Sequence, residues 1–302
     1  MATVTDTAAA TVGQTGQIRG KGGPPGRSTI VYVITGAVLA ALFLLPLVWA
    51  VLRSFQPQAQ ITAPPSARNF THLTIANYSG LITGSIHILR YVWNSLLVAG
   101  GTAVLTAVLA TLAGYGLGRA RFRFRGANAV FALILVTLMV PFQAIVTPLF
   151  LELSFLHLLD SRIGLILFYS TFNLPFGVFV MRNSFVAAPT ELEEAAYCDG
   201  ATVLTTLRTV LLPLVLPGVA TTMLYAFLFA WTEFLGALTF LTSINKLTLP
   251  VALLNVETGT FGTVNFGFLI AGAVIAMVPC AVLYIALQRF YVTGVTAGGV
   301  KG

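Results

Sequence analysis

Phe185 to Pro213 reads FVAAPTELEEAAYCDGATVLTTLRTVLLP, a polar insertion between two apolar runs. Thr190 followed three residues later by Glu193 fits a capping box, in which two side chains satisfy the free amides of a helix start. Glu191, Glu193 and Glu194 crowd the first turn, where the helix dipole favours carboxylates. Leu192, Ala195, Ala196 and Asp199 follow the spacing of one helical face. Gly200 ends or bends the helix, since glycine takes a positive φ cheaply. A second helical stretch over 201–212 leads to Pro213. Two short helices joined at a glycine are therefore expected, with one small face able to nest in a partner's groove.

The surroundings of this insertion are apolar to an unusual degree. Of 302 residues, 57% are hydrophobic and 8% charged, against about 25% charged in an ordinary soluble domain. The mean hydropathy is +0.91. So few charges cannot cover a soluble surface, which excludes a soluble enzyme, a disordered chain and a disulfide-rich secreted module. Charge-free stretches run over 28–52, 91–118, 126–151, 163–181, 209–232 and 258–288. A bilayer core about 30 Å thick needs roughly 20 helical residues, so each stretch is long enough to span. The expected fold is all-α and polytopic, with six transmembrane helices over 29–52, 92–118, 127–150, 163–182, 213–233 and 265–288. A transmembrane β-barrel would need alternating ten-residue segments; the runs here are unbroken and rich in Leu, Ala and Val. The pieces 234–245 and 247–256 are too short to span and suit a loop or a re-entrant turn. Residues 1–28, poor in anything to bury, are expected to be a disordered cytoplasmic tail.

Lys and Arg near the span ends set the orientation. With the N-terminus inside, the inner segments hold eleven: Arg19, Lys21, Arg27, Arg119, Arg121, Arg123, Arg125, Arg182, Arg208, Arg289 and Lys301. The outer segments hold five: Arg53, Arg68, Arg90, Arg162 and Lys246. Both termini are thus expected in the cytoplasm. The Arg119–Arg125 cluster reads as a membrane anchor, with two members reaching phospholipid head groups, and not as a nucleic-acid site. Small residues at Ala110, Gly114 and Gly118, and at Ala99, Ala103, Ala107 and Thr111, mark close helix packing in the second span. Asn173, Tyr169, Gln143 and Tyr225 are polar groups at depth; they either join helices by hydrogen bonds or line a path for a neutral hydroxylated solute. His72, His87 and His157 lack metal-ligand spacing, and no phosphate loop or nucleophile elbow occurs. The chain itself is expected to carry no catalytic residue, cofactor or metal. Any ATP would be consumed by another chain.

Glu194-Ala195-Ala196, Asp199-Gly200-Ala201, Pro213 and Pro217 resemble the EAA loop of binding-protein-dependent ABC importer permeases. Further similarity lies in Asn77-Tyr78, Asn94-Ser95, Ala113-Gly114-Tyr115 to Arg119, Phe124-Arg125-Gly126, Met139-Val140-Pro141, Pro148, and the tail from Gln288-Arg289-Phe290 to Gly302. The branch resembled is the carbohydrate-uptake one, similar to the smaller maltose-transporter permease. Thr232 stands where that branch usually has Asn. The resemblance implies a type I importer fold over 29–302 in a bacterial or archaeal cytoplasmic membrane. It implies coupling to an ATPase through Glu194, Ala195, Ala196, Asp199 and Gly200 within a loop over 189–208. It also implies four kinds of partner: a second permease, two ATP-binding subunits or domains, an extracellular solute-binding protein, and membrane lipid. The solute would be a sugar or oligosaccharide. A charged solute such as glycerol-phosphate or a peptide is the alternative, against which nearly charge-free spans argue. A secondary carrier should show inverted repeats and buried ionisable groups, and a membrane enzyme should show polar catalytic clusters.

Overall fold

The computed structural model describes residues 27–64, 72–84, 86–122, 124–260 and 264–299, with the side chains of 27, 28, 120 and 287–299 outside the description. The expected tail over 1–28 lies almost wholly outside the described residues. So do Arg68, Arg123 and Lys301, and the side chains of the C-terminal motif.

The chain divides into two units, Met1–Trp49 and Ala50–Gly302. In the first, the described residues belong to helix α1 (Arg27–Ser54), which stays continuous through Pro46. The second unit holds the rest. In chain order come α2 (Gln58–Ile61), α3 (Ala76–Thr83), α4 (Ile88–Gly118), α5 (Ala127–Thr137), α6 (Phe142–Phe155), α7 (Arg162–Ala187) and α8 (Thr190–Cys198). There follow α9 (Val203–Thr206), α10 (Leu212–Thr232), α11 (Leu235–Phe240), α12 (Leu249–Glu257) and α13 (Phe266–Gly299). Every described element is helical, so the fold is all-α over those residues. Five helices are long and apolar enough to cross a membrane, and a bent pair makes a sixth if it counts as one span.

That bent pair corrects the sequence reading of 127–150 as one helix. α5 and α6 meet at 98°. Pro141 has no amide to donate, and it pushes the preceding residue out of the helical region. Leu138, Met139 and Val140 accordingly turn through bonds reaching back three residues, to Leu135, Val136 and Thr137. The pair still carries the chain from one end of the bundle to the other. Phe131 of α5 stacks on Phe179, whereas Phe142 of α6 packs on Phe168 and Phe172, further toward the start of α7.

The core is a three-helix contact of α4, α7 and α10. A Cβ on Gly101 would meet Ile166, and one on Gly114 would lie 2.6 Å from Met181 Cβ. α4 and α7 therefore run parallel, in step. Gly218 faces Ser184 while Gly236 faces Phe168, so α10 runs antiparallel to α7. Gly177 sits where all three meet, against Ala110, Thr106 and Thr222. The small-residue stripes read from sequence are thus the packing faces of α4. Lipid gives helices no hydrophobic reason to associate, so close van der Waals approach must hold them.

At the end of the bundle away from α8, side-chain amides clamp the irregular chain. Asn77 donates from Nδ2 to the carbonyls of Ser54 and Gln56, both at 2.8 Å. Asn94 donates to the carbonyls of Asn245 (3.0 Å) and Leu247 (2.9 Å), and its Oδ1 accepts from Arg162 at 2.8 Å. Ser95 Oγ accepts the Leu249 amide at 2.7 Å, at the start of α12. The pieces over 234–257 are therefore short helices pinned into the core, and Leu249, Val251, Ala252 and Val256 are buried there.

Asp160 ties the α6–α7 turn to the same segment. Its carboxylate accepts from the backbone amides of Thr242 (3.0 Å) and Ser243 (2.9 Å) and from Ser243 Oγ (2.6 Å), and pairs with Lys246 Nζ at 2.7 Å. Burial alone would raise this carboxyl, but the ammonium, the hydroxyl and the two amides together hold it well below the usual carboxylate range. A depressed folded value means the tie is present above the unfolded value of about 4 and is lost as the pH falls toward the folded one. We predict that Asp160→Asn lowers the melting temperature at neutral pH. The pair is partly exposed, so the loss is about 1 kcal/mol. The deficit against wild type should shrink on acidification below about pH 4, and a constant deficit in a pH series of melts would contradict this.

Candidate functional site

The segment from Pro189 to Leu211 folds into α8, a glycine turn, α9 and a π-helical turn over Leu207–Leu211. The capping box expected from Thr190 and Glu193 does not form. α8 begins at Thr190 itself, its N-cap is Pro189, and no side chain caps it. Glu193 turns inward and is 6% exposed. Its Oε2 lies 2.9 Å from Arg119 Nε, with the two side chains 8% and 2% exposed respectively. Its Oε1 accepts from Tyr197 OH at 3.1 Å and from Tyr115 OH at 3.3 Å. Arg119, just past the end of α4, also donates from Nη1 to the Ala188 carbonyl at 2.9 Å. An ion pair removed from water outcompetes an exposed local cap because it satisfies a guanidinium that is itself buried.

This corrects the reading of the basic cluster. Arg119 does not reach head groups; it fastens the back of α8 to α4. Arg121 lies over the Tyr197 ring, 4.4 Å from its centroid, so a second member braces α8 as well. Tyr115 packs edge-on against Phe122 and on Phe185, joining the ends of α4 and α7 beneath the pair.

The other face of α8 is open. Glu194, Ala195, Asp199 and Gly200 are exposed and Ala196 is half-buried. Gly200 has φ +82°. Its amide bonds to the Tyr197 carbonyl at 3.0 Å, and the Ala201 amide to Ala196 at 2.9 Å. This is the two-bond stop in which a left-handed residue closes a helix end. Thr202 Oγ1 then accepts the Thr205 amide at 3.3 Å and starts α9.

The stretch expected as a separate second helix, 201–212, instead runs unbroken into the long helix, so that one apolar span covers Val203–Thr232. Pro213 lies at the start of α10, directly after the π turn. A proline clashes with the carbonyl four residues back, and widening the turn before it removes that clash.

The four polar residues at depth are not gathered into one cluster. Tyr169 and Asn173 are both buried on α7, and Asn173 Nδ2 donates to the Tyr169 carbonyl at 2.7 Å. Tyr169 OH donates to Glu233. That carboxylate also accepts the Gly236 amide, at 3.0 Å from Oε2, and so starts α11. Gln143 and Tyr225 are exposed, Tyr225 packing on Phe176 at 4.1 Å. Thr232 is exposed and returns its hydroxyl to the Leu228 carbonyl at 2.8 Å.

A braced, short helix outside the long ones, with its outer face bare, defines a polytopic permease that takes its drive from a separate chain. The family model described as "Binding-protein-dependent transport system inner membrane component" matches residues 108–296, and the chain belongs to that family. It is 31% identical over 272 residues to the arabinooligosaccharides transport system permease protein AraQ of Bacillus subtilis, covering 88% of this chain and 93% of that one. It is 32% identical over 276 residues to the trehalose transport system permease protein SugB of Mycobacterium tuberculosis, covering 91% and 99%. A bacterial ABC transporter that imports the acidic polysaccharide alginate contains a chain of the same fold, with a TM-score of 0.74 at 24% identity over 88% of this chain and 99% of that one. The relatives are transport permeases, and this chain is a transport component rather than an enzyme.

Proposed function

We propose that this chain is one half of the membrane pore of an ATP-driven importer for a sugar or oligosaccharide. A second permease supplies the other half, two ATP-binding subunits or domains supply the drive, and an extracellular solute-binding protein delivers the solute. Both termini and α8 face the cytoplasm, consistent with the eleven-to-five division of Lys and Arg. The bent α5–α6 pair counts as one crossing, which gives six spans over 29–302. The names of the relatives, which refer to arabinooligosaccharides and trehalose, support the solute class.

One observation carries the reading. α8 is locked from behind by the Arg119–Glu193 pair while Glu194, Ala195, Asp199 and Gly200 stand free on its outer side. A push on that face by the ATP-binding partner would pass to α4 through Arg119 and to α10 through the continuous helix after Thr202. No covalent step occurs in this chain. Gln143 and Tyr225, being exposed, are the better candidates for the solute path, while Tyr169 and Asn173 hold helices together.

We predict that Glu194→Lys, which touches none of the bonds behind α8, abolishes uptake of labelled oligosaccharide and leaves the amount of chain in the membrane unchanged. Uptake at the wild-type rate with partner and binding protein present would remove the coupling assignment.

A further inference from the structure

The ends of α4, α5 and α7 nearest α8 enclose a pocket of about 250 Å³ that the coupling function does not use. Gly116, Gly118, Arg119, Ala127, Asn128 and Arg182 line it. Three features give it a positive character. Arg182 donates from Nε to the Leu117 carbonyl at 3.3 Å and from Nη2 to Asn128 Oδ1 at 3.4 Å, and no carboxylate pairs with it among the described residues. Arg119, 3% exposed, keeps Nη2 buried with no hydrogen-bond partner among the described residues. The opening turn of α5 points its free amides the same way, and Gly126, its N-cap, supplies no side-chain acceptor for them. A buried guanidinium nitrogen without an acceptor is costly, and an oxyanion in the pocket would supply one.

We propose that this pocket binds a phosphate-bearing anion, and that the anion is the head group of an acidic phospholipid. The exposed apolar side chains of α5 argue for the lipid over free phosphate. Val130, Leu133 and Val136 are 41%, 67% and 55% exposed and lead away from the pocket along the helix, where acyl chains would lie. Arg182 stacks on Phe131 of the same helix at 4.1 Å, so an occupied head group would tie α5 to α7. The rim of the membrane is the place for such a ligand, given the orientation proposed above.

The test counts lipids retained by the full chain, released from nanodiscs, in native mass spectrometry, so it does not depend on uptake. In phosphatidylglycerol nanodiscs the wild type should keep one more lipid than in phosphatidylcholine. Arg182→Gln should lower that retention about fivefold, the worth of one basic contact at a charged surface. Asn128→Asp, at an exposed position, should do the same by repulsion without loss of fold. Arg125→Gln, exposed and outside the pocket, is the control. Equal losses in all three variants would reduce the effect to diffuse surface charge and overturn the site. Saturable binding of inorganic phosphate in phosphatidylcholine nanodiscs, with no preference for the acidic lipid, would assign the pocket to free phosphate and overturn the lipid. Unchanged retention in the variants together with weaker capture of the ATP-binding subunits would give the pocket to the protein partner, and the proposal would fall.

Discussion

Arg119→Met is expected to abolish uptake and to cost about 3–5 kcal/mol in the attachment of α8, the usual penalty for stranding one member of a buried ion pair. The guanidinium is 2% exposed and makes two separate attachments, to Glu193 at 2.9 Å and to the Ala188 carbonyl at 2.9 Å. Without it, the Glu193 carboxylate is left with only the hydroxyls of Tyr115 and Tyr197. It must then take up a proton or pull α8 into water. The companion experiment separates charge from shape. Arg119→Met combined with Glu193→Met removes both charges at similar volume, and should recover most of the lost stability, because desolvating the pair offsets much of its attraction. Thermal melts in detergent and uptake in proteoliposomes read the two effects. An unchanged melt in the single variant would show that α8 is held by something other than this pair.

Gly200→Pro is the second large effect. Proline is confined near φ −65°, whereas Gly200 sits at +82°. It also removes the amide that bonds to the Tyr197 carbonyl. The combined loss is about 3 kcal/mol or more, enough to unwind the end of α8 and move Asp199 and Gly200 off the outer face. Uptake should fall to background while the chain still reaches the membrane. Gly200→Ala keeps the amide and meets no atom within 4 Å, so it should cost only about 1–2 kcal/mol for the left-handed backbone. It should retain part of the activity. If alanine and proline behaved alike, side-chain contact and not backbone conformation would govern this turn.

The long helices were legible because their signal is local and additive: about 20 apolar residues without a charge. The α4 stripe of Ala110, Gly114 and Gly118 was legible for the same kind of reason, since spacing alone puts small residues on one face. Two features were not. Pro46, Pro148, Pro175, Pro217 and Pro279 all lie inside continuous helices, while Pro141 breaks one. Whether a proline bends or breaks a helix is settled by what packs around the freed carbonyls, and that lies elsewhere in the chain. Glu193 had a short-range partner on offer at the start of its own helix, and the favoured partner, Arg119, stands 74 residues away. Spacing can rank only the first. The i, i+4 relation of Glu193 to Tyr197 was the one sequence signal that this face of α8 might hold a joint network.

The parallel seam of α4 and α7 has a mechanical corollary. From Gly101 against Ile166 to Gly118 against Arg182 and Phe185, the two backbones lie too close to slide. They must travel as a single plank. Flexure in the transport cycle then falls to the two places where regular winding lapses, the Leu138–Pro141 elbow and the loosened coil at Leu207–Leu211.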